Sequence, residues 1–278
     1  MYAADVGRIT HPVAVAVAVA VAVVVVVGGG ACGVVRGEMF PDDVRAPEGS
    51  RAPPGWTRNA IATDEGVVEA WSKLGEGRKA EAPGAGLVFA HGNGETVDDW
   101  WPIFDEEYVR HGVSVMLVEF RGYGRSQGQK HDEDTLVGDA DAAFDVFAKT
   151  PGVDPARIVV MGRSIGTGVG CGLARTRPVA GIVVQSGFAT LAHFLWARFS
   201  LPGFLVPDRY DNAAVVAAAK VPVLVLHGDH DELIDVENAR ALKAAGGARA
   251  TLKLYPCGHN DCDQHAIAND VRAFIAAL

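Results

Sequence analysis

A serine, an aspartate and a histidine follow one another along the chain, each at the end of a short apolar run. Ser164 is the centre of GRSIG, which has the form G-x-S-x-G. Asp231 lies just beyond VPVLVLHG, and His259 just beyond ATLKLYP. A serine hydroxyl becomes a nucleophile when a histidine base, itself oriented by a carboxylate, takes its proton. The three positions together predict acyl-transfer chemistry.

The segment around Ser164 indicates a strand, a tight turn and a helix. The apolar run RIVVMG precedes the serine, and a helix is expected over about 165–176. Such a turn holds the serine Oγ exposed, and the helix N-terminus directs N–H groups at a developing oxyanion. The alternative is a glycine-rich turn that happens to contain a serine, because the chain has 33 glycines. The flanking strand and helix favour the catalytic interpretation.

From about residue 57 onward, apolar runs alternate with helical segments. The first two runs surround Asp64, Glu65 and Gly66, which is typical of a hairpin. The later runs are nearly continuous Val, Ile and Leu, typical of parallel strands covered on both faces. We predict one α/β domain over 57–278. In such sheets the functional residues collect beyond the carboxyl ends of the strands.

Several motifs stand at those predicted strand ends: HGNGE, EFRGYGRSQG, GRSIGTG, HGDHDELID and GHND. In this order they resemble the α/β-hydrolase superfamily. The closest resemblance is to the serine-hydrolase subgroup that includes protein depalmitoylases and serine aminopeptidase-like hydrolases. It implies a mostly parallel sheet of about eight strands, with helices on both faces and a short cap. It also implies that no metal or organic cofactor is needed.

The resemblance assigns a role to each matching residue. Ser164 is the expected nucleophile, Asp231 the acid and His259 the base. The backbone N–H groups of Asn93 and Ile165 are the expected oxyanion hole. Asp229 is a rival for the acid, but the family's G-x-x-D spacing, counted from Gly228, favours Asp231.

Other chemically capable residues have structural interpretations. His91 and His227 are expected to have structural roles at strand ends, and Cys171 to pack as a small hydrophobe. Arg163 is expected to face solvent, although contact with an anionic substrate is an alternative.

Residues 189–207 stand where the family places its cap. They are interpreted as a small lid over an open cleft for an apolar group, or as a helix packed on the sheet edge.

Composition limits the partners and the compartment. A net charge of −9 disfavours nucleic acid. Residues 1–35 include a long apolar stretch and are interpreted as an export signal or N-terminal membrane anchor, with membrane association through 12–35. A lipoprotein site at Cys32 and conventional cleavage are alternatives. Residues 36–56 are a predicted linker, and the catalytic domain is expected outside the cytosol.

The stretch YPCGHNDCDQH around His259 permits two further interpretations. Zinc binding would require Cys257, His259, Cys262 and His265 to converge, and would take the histidine from Ser164. A Cys257–Cys262 disulfide would instead brace the loop in an oxidising compartment. The disulfide is the better of the two, and no metal site is expected.

The expected activity is hydrolysis of a carboxylic ester or thioester (EC 3.1), on a small-molecule or acylated substrate, through an acyl-enzyme on Ser164. Peptide hydrolysis is the alternative within the enzyme class. A non-catalytic binding protein of the same fold is the alternative outside it, because a fold by itself does not prove a function. The sequence leaves the oligomeric state open.

Overall fold

A computed structural model of the protein describes residues 44, 46, 51–64, 66–128, 132–205 and 208–278. The predicted signal or anchor over 1–35 lies outside these residues, as does most of the predicted linker over 36–56. Among the residues that are described, no helix has both the length and the apolar character needed to cross a bilayer.

Eight strands form one sheet in the order β1-β2-β4-β3-β5-β6-β7-β8. They are β1 Thr57–Thr63, β2 Gly66–Lys73, β3 Gly84–Ala90, β4 Ser114–Val118, β5 Val153–Arg163, β6 Gly181–Gln185, β7 Val223–Gly228 and β8 Ala250–Tyr255. Strand β2 pairs antiparallel with both β1 and β4, and all other neighbours are parallel. A tight turn suffices between β1 and β2, whereas each parallel pair needs a crossover, and helices supply it.

Seven α-helices lie within the described ranges. They are α1 Val97–Glu107, α2 Glu133–Ala148, α3 Gly166–Thr176, α4 Leu191–Phe199, α5 Asn212–Ala218, α6 Glu237–Gly246 and α7 Gln264–Ala276. Helices α1 and α7 cover one face of the sheet, and the other helices contribute to the core on the opposite face.

Side chains of the central strands are buried on both faces of the sheet. Along β3, Val88 and Ala90 belong to the core shared with α2 and α3, and Leu87 and Phe89 to the core shared with α1 and α7. Burial on both faces explains why these strands read as continuous apolar runs. The predicted fold class is confirmed.

Helix α1 begins at Val97, just after a pair of residues that cap it. The Asp99 carboxylate accepts hydrogen bonds from the Thr96 N–H (2.8 Å) and from Thr96 Oγ1 (3.0 Å). A polar residue paired with an acidic one three positions later stabilises a helix start. Helix α1 and the short 3₁₀ turn after it end at Gly112, whose φ of 77° suits glycine.

A buried ion pair fixes the loop that follows β4. The Arg121 guanidinium donates from Nε to Asp139 Oδ2 (2.9 Å) and from Nη2 to Thr63 Oγ1 (3.1 Å), and Nη2 also pairs with Asp139 Oδ1. Arg121 and Asp139 are only 2% and 3% exposed. The pair therefore joins this loop to α2 and to the end of β1.

Replacing Arg121 with Met is expected to lower the free energy of unfolding by about 3 to 5 kcal/mol, because Asp139 would remain buried without its main counter-charge. Urea denaturation followed by circular dichroism measures this. The double variant Arg121→Met/Asp139→Leu should recover much of the loss, because it buries no charge. A single variant as stable as the wild type would contradict this account.

Candidate active site

Ser164 lies on a strained turn between β5 and α3. Its φ is 52°, in the left-handed region that non-glycine residues rarely adopt. The turn is possible because its two flanking glycines lack side chains. A Cβ on Gly162 would lie 2.3 Å from the Gly166 carbonyl oxygen, and a Cβ on Gly166 would lie 2.3 Å from the Ala90 and His91 carbonyl oxygens. The strand–turn–helix expected from GRSIG is therefore present.

Ser164, His259 and Asp231 form a continuous chain of hydrogen bonds. The Ser164 Oγ lies 2.9 Å from His259 Nε2, and His259 Nδ1 lies 2.7 Å from Asp231 Oδ2. The carboxylate only accepts, so the histidine proton is on Nδ1, and Nε2 is left to accept from the serine hydroxyl. This is the arrangement in which a histidine can take the serine proton.

Asp231 is buried and is held as a carboxylate. Its Oδ1 accepts the backbone N–H groups of Leu233 (2.9 Å) and Ile234 (2.8 Å). Burial by itself would raise the pKa of Asp231, but the hydrogen bonds from His259 and from the Ile234 N–H outweigh burial and lower that pKa. The rival Asp229 is exposed and lies near the His230 ring instead.

His227 lies behind Asp231. Its Nε2 donates to the Ile234 carbonyl oxygen (2.7 Å) and lies 3.3 Å from Asp231 Oδ2. Burial lowers the pKa of His227 more than these neighbours raise it, so the ring is neutral. It therefore packs against the carboxylate and the Ile234 turn without neutralising the carboxylate.

The two segments expected to form an oxyanion hole lie against each other. The close approach of Gly166 to the carbonyls of Ala90 and His91 brings the start of α3 against the segment 91–96, which we call the β3 loop. Ile165 is the N-cap of α3, where the amides lack acceptors within the helix. Asn93 stands in the exposed part of the β3 loop, and its Oδ1 accepts the Tyr123 hydroxyl at 3.3 Å.

The chain is similar in sequence to several known proteins. The sequence pattern of the family described as serine aminopeptidase, S33, matches residues 81–204. The uncharacterized protein Rv2307c of Mycobacterium tuberculosis is 34% identical over 173 residues, covering 59% of this chain and 60% of its own length. YfhR of Escherichia coli K12, also uncharacterized, is 24% identical over 229 residues, covering 80% and 78%. The chain therefore spans about 60% of the mycobacterial relative's length.

Solved structures share the fold at low identity. An α/β hydrolase from Vibrio vulnificus superposes with a TM-score of 0.68 at 18% identity, covering 87% of this chain and 91% of that one. The Pyrococcus furiosus esterase Pf2001 gives 0.66 at 17% identity, covering 84% and 95%. These superpositions show that the chain has the α/β-hydrolase fold.

Within this α/β-hydrolase fold, His91 is the first residue of the β3 loop and stabilises it. Its Nε2 donates to Glu119 Oε1 (2.8 Å) and its Nδ1 to the Gly92 carbonyl oxygen (2.9 Å). Burial opposes the charged ring, but the hydrogen bond and negative charge of Glu119 outweigh burial and raise the pKa of His91. Glu119 Oε2 also accepts the Val97 N–H at the start of α1 (3.1 Å). These contacts are structural, as predicted for His91: its ring holds the β3 loop and is hydrogen-bonded to Glu119 and Gly92.

The prediction that Arg163 faces solvent is wrong. The residue is 5% exposed, and its guanidinium forms an ion pair with Glu95 and lies over the Trp100 ring. Glu95 and Asn260 are not predicted as functional residues from the sequence, yet both contact Arg163. One signal was present: Glu95 follows β3, Arg163 is the last residue of β5, and those two strands are neighbours.

The stretch around His259 is closed by a disulfide. Cys257 and Cys262 are bonded, with their Cα atoms 5.1 Å apart, and the bridge encloses His259 within the segment 256–263, which we call the His259 loop. The His230 N–H donates to the Cys257 carbonyl oxygen (3.0 Å), which ties the same loop to the end of β7. The sulfurs that zinc would require are bonded to each other, so the disulfide interpretation holds. Cys171 is buried within α3, as expected.

A cleft of about 660 Å³ opens beside His259. Its walls include Arg198 of α4, His230 and Leu233. Helix α4 packs on the domain through buried Leu191 and Leu195, and nearby Trp196 and Phe204 are 59% and 86% exposed. Helix α4 thus packs on the domain, as one of the two interpretations predicts, and lines the cleft through Arg198. The role of a lid stays a prediction.

Removing the disulfide with Cys257→Ser/Cys262→Ser is expected to lower the free energy of unfolding by about 2 kcal/mol, the loop-closure entropy of so short a ring. Thermal or urea unfolding measures this. A phosphine reductant should bring the wild type to the same value and leave the double variant unchanged. Free thiols at both positions in the protein isolated from its own compartment would rule the bridge out.

Proposed function

We propose that the protein is a serine hydrolase that cleaves carboxylic ester or thioester bonds through an acyl-enzyme on Ser164. The hydrogen-bonded series of Ser164, His259 and Asp231 carries this proposal. A scaffold that only binds a partner has no need of a strained serine, an accepting imidazole nitrogen and a buried carboxylate in one line. The superfamily and its esterase neighbours point the same way.

In the proposed reaction, His259 Nε2 takes the proton of Ser164 as Oγ attacks the carbonyl carbon of the substrate. The Asp231 carboxylate stabilises the imidazolium that forms. Backbone N–H groups of Asn93 and Ile165 receive the developing oxyanion, a contribution of about 3 kcal/mol for each donor. His259 then protonates the leaving alcohol or thiol, and a water activated by the same ring releases the acyl group.

An acylated substrate with an apolar part fits the surroundings of the site. The cleft beside His259 is open, with the exposed Leu233 in its wall, and the exposed Trp196 lies on α4, the helix that lines the cleft through Arg198. Apolar side chains left at the surface beside a catalytic cleft are available to contact an acyl chain.

Peptide hydrolysis is the second candidate, because the matching family is described as serine aminopeptidase, S33. An amide leaves less readily than an alcohol or thiol and depends more on protonation by His259. A panel of p-nitrophenyl esters, an acyl thioester and an aminoacyl anilide separates the two. The proposal requires the ester or thioester to have the higher kcat/KM.

We expect a fluorophosphonate probe to label the protein covalently, because the probe reacts with activated serines. Ser164→Ala should abolish labelling and ester hydrolysis while the fold persists by circular dichroism. Well-folded wild-type protein that neither labels nor hydrolyses any member of the panel would overturn the proposal in favour of a binding protein.

Asp229 provides a matched control for the carboxylate. Asp231→Asn should lower kcat by about 10⁴-fold, because the amide favours the wrong histidine tautomer. Asp229→Asn removes an equal charge nearby and should leave kcat unchanged, since Asp229 is exposed and does not contact His259. The reverse pattern would assign the role to Asp229.

We also propose that the hydrolase domain acts outside the cytosol, held or exported by residues 1–35. The Cys257–Cys262 disulfide supports this, because such bonds persist in oxidising compartments. Cell fractionation with thiol trapping of the full chain is expected to find it in the membrane or exported fraction with the bridge formed. Recovery in the cytosolic fraction with both cysteines reduced would contradict the proposal.

A further inference from the structure

Three segments meet at the guanidinium of Arg163, the residue directly before the nucleophile. Its Nη2 donates to the His259 carbonyl oxygen (3.1 Å) and to Asn260 Oδ1 (2.7 Å). Its Nη1 forms an ion pair with Glu95 of the β3 loop. A single side chain on the elbow therefore contacts both of the loops that must be placed against Ser164.

Glu95 continues the connection toward the expected oxyanion hole. Its Oε2 accepts the Gly92 N–H (2.7 Å) and Trp100 Nε1–H (2.9 Å). Gly92 immediately precedes Asn93, so the conformation of the Asn93 amide depends on this carboxylate. The Trp100 ring also lies under the guanidinium, with its centroid 5.5 Å from Arg163 Cζ.

The ion pair of Arg163 and Glu95 is largely shielded from water. The side chains of Arg163 and Glu95 are 6% and 20% exposed. A Cβ on Gly92 would lie 2.8 Å from Arg163 Nη1 and 3.0 Å from Glu95 Oε2, so glycine leaves the space that the pair fills. A guanidinium presents several donors in a fixed plane, which a lysine ammonium does not.

We propose that Arg163 is a positioning residue of the hydrolase. It holds the His259 loop and the β3 loop at fixed positions relative to Ser164. The proposal rests on the function proposed above and extends it. The Arg163 donors that face the two loops already bind acceptors of His259, Asn260 and Glu95. Arg163 therefore acts by holding His259 and the β3 loop, and not by binding an anionic substrate.

Positioning of this kind affects the rate more than binding. A misplacement of about 1 Å between a nucleophile and its base costs about 100-fold in rate. Arg163 contacts the backbone of the base itself, whereas the described residues that line the cleft beside His259 include its partner Asn260 but not Arg163. Loss of Arg163 should therefore lower kcat and leave KM nearly unchanged.

The test compares Arg163→Met with the wild type on a p-nitrophenyl ester and on a fluorophosphonate probe. Arg163→Met is expected to lower kcat by about 10- to 100-fold, with labelling of Ser164 slowed by a similar factor. Arg163→Lys should recover only part, since it keeps the charge but loses the planar fork. Proton NMR should also show the downfield His259 Nδ1–H resonance broadened in the Met variant.

Asn260 keeps the proposal testable if Arg163→Met fails to fold, because its side chain is exposed. Asn260→Ala removes one acceptor and should lower kcat in the same direction by a smaller factor. Asn260→Asp keeps an acceptor and should recover most of that loss. In the double variant Arg163→Met/Asn260→Ala the two effects should be less than multiplicative, because both remove the same contact.

Arg177→Met is the matched control for loss of an ion-paired guanidinium. Arg177 pairs with Asp141 and Asp145 on α2, and its replacement should leave kcat and labelling rate unchanged. Wild-type labelling rates in folded Arg163→Met, or in Asn260→Ala if the former is unfolded, would overturn the positioning role. A wild type that is neither labelled nor active would instead overturn the proposed function.

Discussion

The hydrogen bond from Ser164 Oγ to His259 Nε2 joins residues that are 95 positions apart. It forms only if the loops after β5 and β8 meet above the sheet, with the loop after β7 behind them to supply Asp231. The parallel order of β5, β6, β7 and β8 brings the carboxyl ends of these strands to one edge. The elbow then directs the serine away from its own strand at a positive φ, which costs conformational energy that the surrounding packing offsets.

Charge pairing organises the same edge of the sheet. His91 with Glu119 supports the β3 loop, Arg163 with Glu95 links that loop to the elbow, and Asp231 is held by His259 and by backbone amides. Each group is wholly or mostly buried and has a partner of opposite charge or a set of donors. Unpaired, it would carry a desolvation cost of several kcal/mol. These pairs therefore restrain the loops to few alternative arrangements, which favours a site organised before substrate arrives.

Prediction from sequence succeeded where the signal is local. Strands and helices follow from apolar periodicity, and the apolar face of α2 is buried as its spacing indicates. Prediction from sequence failed at Arg163. A charged residue in a polar loop is expected to face solvent when the residue that pairs with it is distant in sequence. Glu95 lies 68 positions away and Asn260 lies 97 away, and no local pattern connects either to the elbow.

The sequence by itself determined the chemistry available to this protein: a serine in a G-x-S-x-G turn, with an aspartate and a histidine at later strand ends. It determined the α/β class as well, because burial on both faces requires continuous apolar strands. Only the tertiary structure decided which aspartate meets His259 and that Cys257 pairs with Cys262. It also decided that Arg163 is enclosed between two loops. Those outcomes depend on distances between segments, which the folded sheet sets and local sequence does not encode.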